Sequence, residues 1–153
     1  MRIVDFVRED LIVPELHGRE KLPVLAELAG CFADRIPGVD REALVKTLVD
    51  RERLASTAIG EGIAIPHGKY DGVHDLTACV GRAREGVDFE SMDGHPTFIF
   101  FALVAPPHST GAHLKALARI SRLFKNPGFR TRLMQAKDAA ELFRVIADED
   151  ARY

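Results

Sequence analysis

The chain has 153 residues, enough for one domain with a substantial core, and its 46% hydrophobic and 29% charged content is that of an ordinary globular protein. A net charge of −2 gives no support to nucleic-acid binding, which needs a basic face, no apolar run is long enough to span a bilayer, and Met1-Arg2-Ile3-Val4-Asp5 lacks the pattern of a secretory leader. Cys31 falls in a predicted helix and Cys79 in a predicted strand, with no CxxC spacing, so both are expected as reduced core thiols of a cytoplasmic protein.

In chain order, Ile3 to Val7 predicts a helical turn and Leu11 to Val13 a short edge strand ending at Pro14, the two split by Arg8-Glu9-Asp10. Glu20 to Arg35 carries Leu22, Leu25, Leu28, Ala29 and Phe32 at helical spacing, with Pro23 tolerated in the first turn and Pro37-Gly38 as the stop. Asp40 caps a second helix with Ala43, Leu44, Thr47 and Leu48 on its inner side, running to Arg51-Glu52-Arg53. Ser56 to Gly62 is small, polar and glycine-punctuated, a predicted loop. Ile63-Ala64-Ile65 predicts a brief buried strand, which Pro66-His67-Gly68 ends: Pro66 holds the preceding residue extended, and Gly68 permits a turn.

Lys69 to Asp75 predicts a loop and Leu76 to Arg82 a strand. Glu85-Gly86 and Asp93-Gly94 are turn signals on either side of the short segment Val87 to Phe89. Thr97 to Val104 is rich in Phe, Ile and Val and has no polar face, as a strand buried on both sides requires, and Pro106-Pro107 breaks it. A helix from Ser109 or Thr110 to Phe124 follows, with Leu114, Leu117, Ile120, Leu123 and Phe124 apolar. Asn126-Pro127-Gly128 ends it, Phe129 to Gln135 forms a short helix, and Asp138 caps a last one with Leu142, Phe143 and Ile146 inward. Strands alternating with helices predict an α/β three-layer sandwich: a mixed central sheet of about five strands with helices on both faces, one domain over residues 1–153.

Two of the six histidines stand apart. His67 sits at a stiff strand end and His113 in the first turns of a helix, where amide N–H groups and the helix dipole attract anions. Each also fits a plainer role, His67 as a loop residue capping a strand and His113 as a satisfied first-turn histidine. His17, His74, His95 and His108 lie beside turns and fit solvated surface. Ligands of α/β sheets gather beyond the carboxyl ends of strands, and both imidazoles can meet there, with Arg51 arriving from the preceding helix. Two histidines, an arginine and a helix N-terminus suit a phosphoryl group: a neutral imidazole is the nucleophile, and the arginine fork steadies the equatorial oxygens. Arg53 competes with Arg51 for that role, and Arg51 can equally be a surface residue paired with Glu52 or Asp50. Ser56 lacks a nucleophile elbow, there is no HExxH, and His108 and His113 do not share an i, i+4 face, so neither a hydrolytic triad nor a metal or cofactor site is expected.

Arg51-Glu52, Ser56-Thr57 and the run Ile59-Gly60-x-Gly62-Ile63-Ala64-Ile65-Pro66-His67-Gly68 resemble the mannitol/fructose-type IIA domains of the bacterial phosphoenolpyruvate:sugar phosphotransferase system. Phe101-Ala102-Leu103-Val104 followed by His113-Leu114 resembles that family's second block, and the resemblance extends from Ile3 to about Ala147. It implies a five-stranded mixed sheet, His67 as the phosphorylated residue, His113 as the neighbouring histidine and Arg51 as the steadying arginine. It implies as donor the phosphocarrier protein HPr, or its nitrogen-branch counterpart NPr. Within the family a free-standing chain of this length resembles most the nitrogen-regulatory IIA proteins, which act on target proteins according to phosphorylation state. The alternative is a sugar-specific component passing phosphate to a IIB domain for fructose or mannitol uptake. A third reading is a binding module that keeps the fold without the chemistry. Pro106 to Gly111 is where target preference is expected to be encoded.

Overall fold

A computed structural model describes residues 1–153. Its centre is β6 (Thr97–Ala105), the uninterrupted apolar run. Side chains alternate across a strand, so Ile99, Phe101 and Leu103 enter one core and Phe100, Ala102 and Val104 the other. A strand placed this way needs helices on both faces. The first core is closed by α3 (Thr110–Leu123), α4 (Pro127–Gln135) and α5 (Ala139–Asp150), and the second by α1 (Lys21–Arg35) and α2 (Arg41–Leu54). The result is the expected three-layer α/β sandwich. No helix is long and apolar enough to cross a membrane.

The sheet is mixed and has six strands. β1 (Val7–Val13) runs parallel to β5 (Thr77–Val87), and β5 antiparallel to β6. On the far side of β6 lie β3 (Ile63–Ala64) and β4 (His67–Lys69), both parallel to it, and β2 (Ala58–Gly60) pairs antiparallel with β3. Asp40, Asn126 and Asp138 cap α2, α4 and α5 through side-chain oxygens that accept from Ala43, Gly128 and Glu141 N–H groups.

The structure departs from the sequence expectations at several strand boundaries. Ile3–Asp5 is a 3-10 turn as expected, but β1 runs unbroken through Arg8-Glu9-Asp10. As an edge strand it can turn charged side chains to water. The segment Ser56 to Gly62 is not all loop. It holds β2, and the β2–β3 hairpin turns through Gly60, Glu61 and Gly62, all at positive φ. Glu85-Gly86 is not a turn but part of β5: Gly86, at φ +87°, absorbs a register shift between Arg82 and Val87, and the strand continues. Leu22 and Ala43, placed inward by helical spacing, face outward, as does the apolar Leu114, with Leu22 57% and Leu114 62% exposed.

The largest departure is at Pro66-His67-Gly68, which does not end the strand path. After a break at Ile65-Pro66 the chain resumes pairing with β6 as β4, with His67 opposite Leu103. Proline removes only a donor. Its carbonyl still accepts the Leu103 N–H at 2.8 Å, and β4 has a single partner strand, so no N–H is missed. Gly68 makes no turn either. A Cβ there would stand 2.8 Å from Thr47 Cγ2, so glycine lets α2 lie directly on β4.

Candidate active site

The site is assembled from three places on the chain: the end of α2, the β3–β4 junction and the first turn of α3. His67 opens β4 and is half-buried. Its Nδ1 lies 2.7 Å from the Ile65 carbonyl oxygen. A carbonyl only accepts, so Nδ1 carries the hydrogen and donates it, and Nε2 keeps its lone pair. The ring is thus fixed in one tautomer by the strand that precedes it.

His113 lies 6% exposed in the first turn of α3. Its ring meets that of His67 edge to face, with centroids 5.3 Å apart and planes at 87°. Its Nε2 is buried and has no hydrogen-bond partner within the protein. An orphaned buried polar atom is a cost that a native structure carries for a reason, and a phosphoryl oxygen at this spot would satisfy it. Lys69, two residues after His67 on the same strand face, donates from Nζ to Thr110 Oγ1 at 2.6 Å and so fastens β4 to the start of α3.

Arg51, in the last turn of α2, is half-buried and donates from Nη1 to the Ala55 carbonyl at 2.9 Å. Its charge acts on both imidazoles. Arg53 points elsewhere, 75% exposed and 3.9 Å from Asp50. The structure therefore separates the two arginines: only the guanidinium of Arg51 bears on the histidines, and it pairs with a backbone carbonyl rather than with Glu52 or Asp50.

Both imidazoles are held neutral. Burial lowers the proton affinity of His67 below the ordinary value. The Ile65 carbonyl opposes that shift, Arg51 adds to it and Glu52 partly offsets it. His113 is pushed from the ordinary 6.5 down to about 4, first by burial and then by the neighbouring His67, Lys69 and Arg51. At neutral pH the pair consists of one uncharged imidazole with a free lone pair and a second, uncharged, beside it. Such a pair suits nucleophilic attack on an electrophile that brings its own negative charge.

The structure brings His67 and His113 together and sets Arg51 near both; His17, His74, His95 and His108 are exposed. Sequence reasoning missed two parts of the site. Lys69 was legible in principle, since His-x-Lys on a strand puts both side chains on one face, but the segment reads as loop. Glu52 reads as a surface partner of the arginines, whereas it is 5% exposed and binds Thr57.

Two uncharged histidines beside an arginine, carried on a mixed α/β sandwich, form a cluster whose chemistry suits a phosphoryl group. Residues 5–149 match the family described as phosphoenolpyruvate-dependent sugar phosphotransferase system, EIIA 2, and the chain belongs to that family. It is 39% identical over 147 residues to a nitrogen regulatory protein of Bradyrhizobium diazoefficiens, covering 96% of this chain and 95% of that one. It is 33% identical over 150 residues to the fructose-specific EIIABC component of Bacillus subtilis, matching 98% of this chain but 24% of that longer protein. The crystal structure of nitrogen regulatory protein IIA-Ntr from Neisseria meningitidis superposes with a TM-score of 0.87 at 30% identity, covering 94% of this chain and 98% of that one.

Proposed function

We propose that the chain acts in the cytoplasm as one IIA-type domain over residues 1–153, a phosphohistidine carrier that takes phosphate on His67 Nε2. The observation that carries this reading is the His67 Nδ1 contact with the Ile65 carbonyl, which leaves Nε2 as the ring's only nucleophilic atom. The donor is the phosphohistidine of HPr, or of its nitrogen-branch counterpart NPr. The Nε2 lone pair attacks phosphorus in line, the N–P bond of the donor breaks, and its electron pair returns to the donor imidazole. Nδ1–H stays on the Ile65 carbonyl, so the acceptor needs no general base. Charge on the equatorial oxygens is met by Arg51 and by the unpartnered His113 Nε2 as a donor. The low proton affinity of His113 keeps it from adding a second positive charge, and the phosphohistidine then stays reactive enough to pass its phosphate on.

The output of the relay is regulatory: target proteins distinguish the phosphorylated from the unphosphorylated form. Identity across nearly the full length of a nitrogen regulatory protein supports this branch. The match to a fructose-specific component supports a second reading, transfer onward to a IIB domain in sugar uptake. Incubation with phosphoenolpyruvate, enzyme I and HPr tests the shared chemistry. Wild type gains one acid-labile phosphate, and a His67→Ala variant that gains it equally well refutes the assignment. Phosphate passing from the loaded chain to fructose or mannitol IIB domains then selects the sugar branch, and its retention selects the regulatory one.

A further inference from the structure

Glu52 is a carboxylate 5% exposed at the end of α2. Burying such a charge is unfavourable by several kcal/mol unless a counter-charge and hydrogen bonds compensate. Here every part of it is engaged. Oε1 accepts the Thr57 N–H at 2.9 Å and lies 3.3 Å from Lys21 Nζ, and Oε2 accepts the Thr57 hydroxyl. Lys21 is itself held, by Glu90 at 3.4 Å and over the Phe89 ring at 5.0 Å. So fixed a carboxylate exceeds what ending a helix requires, and what it grips is informative. The Thr57 carbonyl accepts the Ile65 N–H at 3.0 Å, and the Ile65 carbonyl receives His67 Nδ1–H at 2.7 Å. The path from Glu52 to the imidazole runs through hydrogen bonds and the rigid peptide units between them. Its negative charge also counteracts part of the effect of burial on His67.

We propose that Glu52 is a positioning residue for phosphoryl transfer: its carboxylate fixes Thr57, and through Thr57 and Ile65 it holds His67 in the Nδ1–H tautomer with Nε2 aimed outward. The proposal rests on His67 being the phosphoryl acceptor. Lys21 completes the brace by neutralising the buried carboxylate from the α1 side. A plain turn-stabilising role for Glu52 predicts lost stability with an unchanged ring.

The test measures phosphate uptake against HPr concentration together with the nitrogen spectrum of histidine-labelled protein. In Glu52→Ala the saturating rate falls about tenfold to a hundredfold, as a slightly misplaced reacting atom requires, while the KM for HPr stays within about twofold. The Nδ1–H tautomer of His67 loses population in the same variant. Glu52→Gln still accepts the Thr57 N–H and recovers most of the rate. Should Glu52→Ala not fold, Thr57→Val, which deletes only the hydroxyl contact, shifts rate and tautomer in the same direction by about threefold. Variants less stable than wild type but with its saturating rate and tautomer overturn the proposal. Wild type that takes no phosphate overturns the function and this role with it, whereas wild type and Glu52→Ala taking it equally fast overturns this role alone.

Discussion

Replacing His113 by asparagine removes a buried imidazole that resists taking a second proton, and the consequence is an acid-side change in stability whose size follows from the structure. In the folded chain His113 titrates at about 4, against an ordinary value of 6.5. Between those two values the unfolded chain binds one proton more than the folded one, so stability rises with pH across that window. The penalty is absent above the unfolded value, accumulates as pH falls through the window, and is complete below about 4. Between pH 7 and pH 5 the titration of this one group removes about 2 kcal/mol of folding stability. Carboxylates and His67 titrate too, and the shift of His67 has the same sign, so the informative quantity is a difference of differences. Urea unfolding of wild type and His113→Asn at both pH values gives it. Wild type loses about 2 kcal/mol more than the variant on acidification, a large part of the stability of a domain this size. Equal losses would mean that His113 is solvated in solution and that the neutral imidazole pair described here does not exist. The same variant slows phosphate uptake more than it lowers stability at neutral pH.

Other perturbations address the remaining supports of the site. Arg51→Ala lowers the rate of phosphate uptake about a hundredfold while Arg51→Lys keeps part of it, since a point charge replaces some of what the planar fork supplies; equal rates in stopped assays would transfer the role to backbone amides. Gly68→Ala presses a Cβ to 2.8 Å from Thr47 Cγ2 and destabilises by about 1–3 kcal/mol, and Thr47→Ser in the same chain restores most of it; a thermal melt showing no rescue refutes the close approach of α2 to β4. Asp40→Ala leaves the Ala43 N–H without its cap and lowers stability by about 1 kcal/mol in chemical denaturation, with phosphate uptake unchanged.

What the sequence revealed and what it hid divide along a physical line. Helices and their ends depend on neighbours a few residues away, so Asp40 and Asp138 are visible as caps, and the apolar run of β6 announces burial on both sides. Strand pairing is decided by residues distant in sequence. Pro66 and Gly86 are punctuation locally, yet one precedes a strand with a free edge and the other sits in a bulge, and neither stops its strand path. Of the candidate site, residue chemistry singled out His67 and His113 at element boundaries and left Arg51 and Arg53 competing; the family resemblance chose Arg51, and the structure sets it near both histidines. The support of the site was not legible: Glu52 and Lys69 are ordinary charged residues until Thr57 and Thr110 are placed beside them.

The central claim is that one ring nitrogen of one histidine receives the phosphoryl group. Nitrogen–phosphorus coupling in histidine-labelled chain, loaded from phosphoenolpyruvate through enzyme I and HPr, reads this directly. The account predicts a single phosphoryl group on Nε2 of His67, with its Nδ1–H retained and His113 unmodified. Phosphate on Nδ1 of His67, or on His113, would contradict it.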